Sequence, residues 1–155
     1  MRELLLSLPR HTEMGTRRKK RKQHSAPLSR SERMARIRKV NTKPEIAVRR
    51  LLHALGYRFR LYRRDLPGNP DIVFPGRKKA ILVHGCFWHR HDCPSGRKVP
   101  RANSDYWLPK LGRNQARDAQ NLARLNDLGW NTLIVWECEL SNTAVTAARI
   151  RRFLD

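Results

Sequence analysis

Ten consecutive residues, His84-Gly85-Cys86-Phe87-Trp88-His89-Arg90-His91-Asp92-Cys93, crowd two thiols, three imidazoles, a carboxylate and two large aromatic rings into one short segment. Buried imidazoles and carboxylates are costly unless paired. A chain carrying this segment must therefore gather it around a shared charge, either a metal ion or a stackable polyanion. The only other cysteine is Cys138. Cys86, His91 and Cys93 read C-x4-H-x-C, and Cys138 follows the last predicted strand. Four N/S donors are what a closed, tetrahedral structural zinc takes. The alternative for Cys138 is a small buried apolar residue. An odd cysteine count with no secretory pattern argues against a disulfide scaffold.

The charge balance points to the partner. Across 155 residues, 34 Lys+Arg stand against 13 Asp+Glu, a formal net charge of +21. Summed positive potential of that size attracts phosphate polyanions. The length suits one domain with a core of its own. Residues 1–28 read as a basic, unstructured arm around the self-repelling block Arg17-Arg18-Lys19-Lys20-Arg21-Lys22, with the ordered domain over 29–155. No apolar run approaches the roughly 20 residues of a membrane span. Leu4-Leu5-Leu6 is too short for a signal sequence. The expectation is a cytoplasmic, nucleoid-associated, monomeric bacterial protein without a membrane partner.

Periodicity supplies the elements. Ser31 caps a short basic helix that includes Met34. Thr42, Pro44 and Glu45 open a second helix, with Thr at the N-cap and Glu at the third helical position. Val48, Leu51, Leu52 and Leu55 form its apolar stripe, and Gly56 ends it. Tyr57 to Leu61 alternates as a strand. Leu66 to Pro70 is a turn, Asp71 to Phe74 a short strand, and Lys79 to Val83 a central one. A helix runs from about Ser104 to Leu128, burying Leu111, Leu122, Leu125 and Leu128, with Pro109 in its first turns or at a break. Thr132 to Trp136 is a strand, with Trp130 and Trp136 assigned to the core, and Ala144 to Phe153 a last helix. The order predicts an α/β fold with a mixed central sheet flanked by helices.

Several residues carry chemistry. Asp71, at the start of one strand and near the end of the next, can hold magnesium, a hard cation that takes oxygen ligands; its plainer role is a turn residue. His89 can take a proton from water attacking phosphorus. His84 is either a donor to the phosphate or a hydrogen-bonded loop histidine. Glu45 and Asp118 are candidates to support a metal or a histidine, or else partners in surface ion pairs. Phe87, Trp88 and Trp107 can wedge between base pairs, or pack together over the metal loop.

Taken in order, these segments resemble the very short patch repair (Vsr) endonuclease family. The resemblance covers about Ser29 to Cys138. It rests on Pro44-Glu45, Leu66-Pro67-Gly68-Asn69-Pro70-Asp71, His84 to His89 with His91 and Cys93, Tyr106-Trp107, Arg117-Asp118, Leu128-Gly129-Trp130 and Val135-Trp136-Glu137-Cys138. It implies a restriction-endonuclease-like fold with a structural zinc on Cys86, His91, Cys93 and Cys138. It implies a magnesium-dependent nick in one DNA strand, 5′ to the thymine of a T:G mismatch left by deamination of 5-methylcytosine. In that family the position of Asp71 binds magnesium together with the residue at Val83, and that of His89 is the general base, supported by Asp118. Glu45 and His84 match further active-site positions. Phe87, Trp88 and Trp107 match intercalating aromatics, and Met34 falls where an N-terminal helix enters the DNA from the opposite groove.

Two departures stand out. Val83 replaces a family threonine, which is harmless where the metal contact is the backbone carbonyl. The arm before Ser29 has no family counterpart. The site also lacks the lysine of PD-(D/E)xK nucleases, consistent with His89 as base. The resemblance makes duplex DNA the partner, with mismatch-repair proteins as further expected partners. Two rival readings are a zinc-stabilised DNA-binding module without chemistry and a same-fold nuclease that cuts both strands.

Overall fold

The computed structural model describes residues 40–155; the basic arm, the helix expected at Ser31 and Met34 lie outside the described residues. Helix α1 spans Lys43–Ala54. Its start is locally encoded: Thr42 Oγ1 accepts from the Glu45 amide at 3.4 Å and donates to Glu45 Oε1 at 2.8 Å, with Pro44 in the first turn. Strands β1 (Arg60–Leu61), β2 (Ile72–Phe74) and β3 (Lys79–His84) follow, then helix α2 (Ser104–Asp127), strand β4 (Asn131–Trp136) and helix α3 (Thr143–Leu154). Both α1 and α2 end in the same way. Gly56 and Gly129 take left-handed backbones, and the amides of Tyr57 and Trp130 reach back to the carbonyls of Leu52 and Leu125.

The four strands form one mixed sheet in the order β1-β2-β3-β4, antiparallel except for the parallel pair β3–β4. Alternation along the strands divides the core between two faces. Ile72, Phe74, Ile81 and Val135 pack with Val48 and Leu52 of α1 and with Ile150 and Leu154 of α3. Val73, Ala80 and Leu82 pack on the other side with Leu125 of α2, Leu66 and Trp130. The helices therefore cover both faces of the sheet.

The structure departs from the sequence reading in three places. Only Arg60–Leu61 of the Tyr57 to Leu61 stretch pairs as strand, because Tyr62 turns into a left-handed backbone and β2 offers three residues. Tyr57 and Phe59 still reach the first core. Leu128 is 52% exposed rather than buried, since α2 has ended and the chain is already turning at its C-cap. Pro109 lies in the second turn of α2, in the first turns where the sequence reading put it, and the helix runs on through it. Trp136 is not a core residue like Trp130: it is half-buried and stacks against histidine rings.

The topology gathers the polar residues at one end of the sheet. Parallel pairing puts the C-terminal ends of β3 and β4 side by side, with His84 opposite Trp136. Antiparallel β2 brings its N-terminal end, preceded by Asp71, to the same place. Leu52 is fully buried under the first face. Leu52→Ala is expected to cost about 2–5 kcal/mol of unfolding free energy, read from urea denaturation; a loss under about 1 kcal/mol would show that α1 is not integral to the core.

Candidate active site

Two registered residues, His84 and Trp136, each precede a cysteine by two positions, so the parallel pairing delivers Cys86 and Cys138 to one spot. The loop after β3 then returns His91 and Cys93 to it. Donor atoms of Cys86, His91, Cys93 and Cys138 all lie within 4.8 Å of one another. His91 Nδ1 stands 3.4 Å from Cys138 Sγ. Zinc bonds of about 2.3 Å to sulfur and 2.0–2.1 Å to nitrogen put two tetrahedral ligands roughly 3.5 Å apart, so this donor set fits such an ion.

The loop's backbone is built for this closeness. The His91 amide donates to the Cys86 carbonyl at 3.0 Å and the Cys93 amide to the His91 carbonyl at 2.8 Å. The Gly96 amide donates to Cys93 Sγ at 3.4 Å, holding that thiol down near 7. Burial pushes the Cys86 thiol up to about 12 and raises Cys138 as well. Crowded thiols of this kind lack a counter-charge that a divalent cation supplies. A side chain at position 96 would put its Cβ 1.9 Å from the His91 carbonyl oxygen, so only glycine fits.

Beside this cluster sits a second constellation. His89 Nδ1 and Asp118 Oδ2 are 2.5 Å apart, both groups mostly buried. A carboxylate in that position makes Nδ1 the protonated nitrogen and leaves Nε2 as acceptor. His84 is 6% exposed and lies face to face with His89, centroids 3.8 Å apart and planes 10° from parallel. Burial, and next the neighbouring His89, lower the His84 pKa to about 4, so the ring is neutral at pH 7. One donor atom each from His84, His89 and Asp118 lies within 4.8 Å of the others.

Asp71 Oδ2 accepts the Val83 amide at 2.8 Å. Burial pushes the Asp71 pKa up to about 6, and the carboxylate of Glu45 pushes the same way. A carboxylate so short of positive partners is suited to a cation. Glu45 is 3% exposed and encircled by donors: the Asn41 amide at 3.0 Å, Arg49 Nη2 at 2.9 Å and the Tyr62 hydroxyl at 2.7 Å on Oε2, and Thr42 on Oε1. Arg49 was legible as the i+4 partner of Glu45. Tyr62 was not, because its reach depends on a left-handed turn after β1.

Phe87, Trp88 and Trp107 form a half-buried cluster with centroids 5.0–6.0 Å apart. Asn114 Nδ2 fixes the Trp88 carbonyl at 3.2 Å. Tyr106 adds an edge contact to Trp107 at 5.3 Å, and Lys110 Nζ lies over both rings. Tyr106, Lys110, Arg113 and Arg117 line an open basic groove on α2 beside this cluster. Sequence reasoning missed Tyr106 and Lys110 as site residues; their i+4 spacing was the available signal. No described helix is long and apolar enough to cross a membrane.

Residues 23–95 match the family model described as DNA mismatch endonuclease Vsr. The chain is 52% identical over 130 residues to the Type II nicking enzyme V.XorIIP of Xanthomonas oryzae, covering 84% of this chain and 95% of that protein. It is 43% identical over 112 residues to the DNA mismatch endonuclease Vsr of Escherichia coli, covering 72% and 71%. The Type II nicking enzyme V.NmeAIP of Neisseria meningitidis is 40% identical over 121 residues, covering 78% and 86%.

Two outcomes are expected. Gly96→Ala should weaken metal retention by about tenfold or more, measured by chelator competition; unchanged retention would remove the loop geometry from the account. Asp71 has a raised folded-state pKa, so its contribution to stability is fully present below about pH 4 and is lost as pH rises through about 6. Asp71→Asn keeps an acceptor for Val83 and escapes that loss. In metal-free buffer the variant should gain up to about 3 kcal/mol over the parent above pH 6. Equal melting curves for the two proteins at pH 4 and pH 7 would contradict this.

Proposed function

The chain belongs to the Vsr DNA mismatch endonuclease family, and from that premise we propose that it nicks one strand of duplex DNA 5′ to the thymine of a T:G mismatch. That lesion is the product of 5-methylcytosine deamination, and the nick opens very short patch repair. The observation that carries the reading is the His89–Asp118 pair stacked on His84, the neighbour of Val83, whose amide the half-buried, under-compensated Asp71 accepts. A zinc-stabilised binding module would need neither. The mixed sheet with helices on both faces agrees with a restriction-endonuclease-like fold.

The geometry supports the following division of labour. Asp118 fixes His89 through Nδ1, so Nε2 takes the proton from the attacking water. Neutral His84 offers a ring N–H to the phosphate that is cut. Asp71 and the Val83 carbonyl would hold magnesium. Extending the β2–β3 register by two places sets Pro70 opposite Val83, and proline has no N–H to engage that carbonyl. Valine in place of the family threonine therefore leaves the contact intact. Magnesium, when bound, neutralises charge that builds up on the phosphate during displacement. Zinc is the ion for Cys86, His91, Cys93 and Cys138, where it locks the loop that carries His89. Glu45, held by Arg49 and Tyr62, keeps negative charge next to Asp71. Phe87, Trp88 and Trp107 stack against bases opened at the mismatch, and the basic groove on α2 takes up backbone phosphates. The family resemblance gives Met34 the role of entering the DNA from the opposite groove.

Strand-specific end-labelling separates this reading from its rivals. With magnesium, the parent should cut only the T-containing strand of a T:G duplex and leave a matched T:A duplex intact. Cleavage of both strands, or mismatch binding without cleavage, would overturn it. Asp71→Asn should bind the T:G duplex as the parent does but lose nicking. Asp118→Asn should lower the single-turnover rate about 10²–10⁴-fold with binding retained; parental rates in either variant would count against these roles.

A further inference from the structure

The two constellations are joined by a continuous column of rings. His91, whose Nδ1 faces Cys138 Sγ, lays its ring on Trp136 with centroids 4.3 Å apart and planes 18° from parallel. The edge of Trp136 meets His84 at 5.3 Å and 75°, and the face of His84 lies on His89 at 3.8 Å. His89 ends the column on Asp118. We propose that Trp136 is a positioning residue that couples the thiolate–imidazole cluster to the catalytic histidines, so that the state of the cluster sets the orientation of His89. This inference rests on the nicking reading above.

Trp136 is placed for the task from three sides. The parallel register puts it beside His84. Its amide donates to Glu139 Oε2 at 2.9 Å, and Arg149 of α3 holds Glu139 through both carboxylate oxygens at 2.6–2.7 Å while Nη2 donates to the Ile134 carbonyl. The backbone under the ring is therefore braced. The rings touch in sequence, so a shift of His91 reaches Trp136 and through it the buried ring of His84. When zinc leaves, His91 loses the bond that fixes its plane, and the stack on His89 loses its far support. Nicking then stops although the sheet and its two cores remain.

The test uses the full chain, loaded with zinc, and two variants. Trp136→Leu keeps apolar bulk but removes the ring; Trp136→Phe restores one. Trp136→Leu should retain one zinc per chain and parental affinity for a T:G duplex, while the nicking rate at saturating duplex falls about 10- to 100-fold. Trp136→Phe should recover most of that rate. Histidine-labelled NMR supplies a readout independent of activity: chelation of zinc from the parent should move the His84 and His89 ring resonances, and the His84 shift should be clearly smaller in Trp136→Leu, where the loop still responds but no ring joins His91 to His84. Parental nicking by Trp136→Leu, or a His84 shift on chelation equal in parent and variant, would overturn the coupling. If Trp136→Leu fails to fold, Trp136→Met takes its place in both measurements. A parent that never nicks a T:G duplex would defeat the endonuclease reading while leaving the NMR result to judge the coupling.

Discussion

The parallel pairing of β3 with β4 is the interaction on which the site depends. It aligns His84 with Trp136 and carries Cys86 and Cys138, each two residues further on, to the same end of the sheet. Without that register Cys138 would be one thiol among apolar neighbours. With it, the loop after β3 has an anchor on a different strand. The crossover through α2 has a second effect: it brings Asp118 over the sheet face that His84 shares with Leu82 and Ala80. One topological decision thus assembles the thiolate cluster and supplies the carboxylate that orients His89.

The electrostatics of the site follow from burial in a strongly basic molecule. Most acids here are neutralised by nearby cations: Glu45 by Arg49, Asp92 by Arg97, Glu139 by Arg149. Asp71 has no such ion pair among the described residues. Its close partner is a neutral amide, and burial raises its pKa to about 6. A carboxylate left short of charge in a chain with so many arginines is a stability cost kept in place by the fold. The magnesium proposed for this position would relieve that cost, which ties the cost to the proposed function.

Much of the site was legible because its signals are local. The Thr42 N-cap with its bond to Glu45, the glycines that end α1 and α2, and the close spacing of Cys86, His91 and Cys93 all operate within a few residues. Other features were not, because they depend on distant packing. The i+4 spacing pairs Arg49 with Glu45, but Tyr62 reaches the same carboxylate only through a left-handed turn. A β-prone run containing Trp136 reads as core, whereas its position at the strand's end turns it onto histidines. Leu128 fits an apolar stripe, yet the helix stops one residue before it.

By itself, the sequence determined which chemistry this protein can hold: three thiols and a histidine at metal-ligand spacing, a histidine-rich loop, and a surface whose charge favours a polyphosphate partner. Periodicity and punctuation also set the order of its strands and helices. Only the tertiary structure decided which of those groups meet. His89 finds Asp118 because a helix folds back across the sheet, and Cys138 finds Cys86 because two strands run parallel in one register. The physical reason is that residue type and spacing act over a few residues, whereas strand register and helix crossing are settled by burying both faces of a sheet at once.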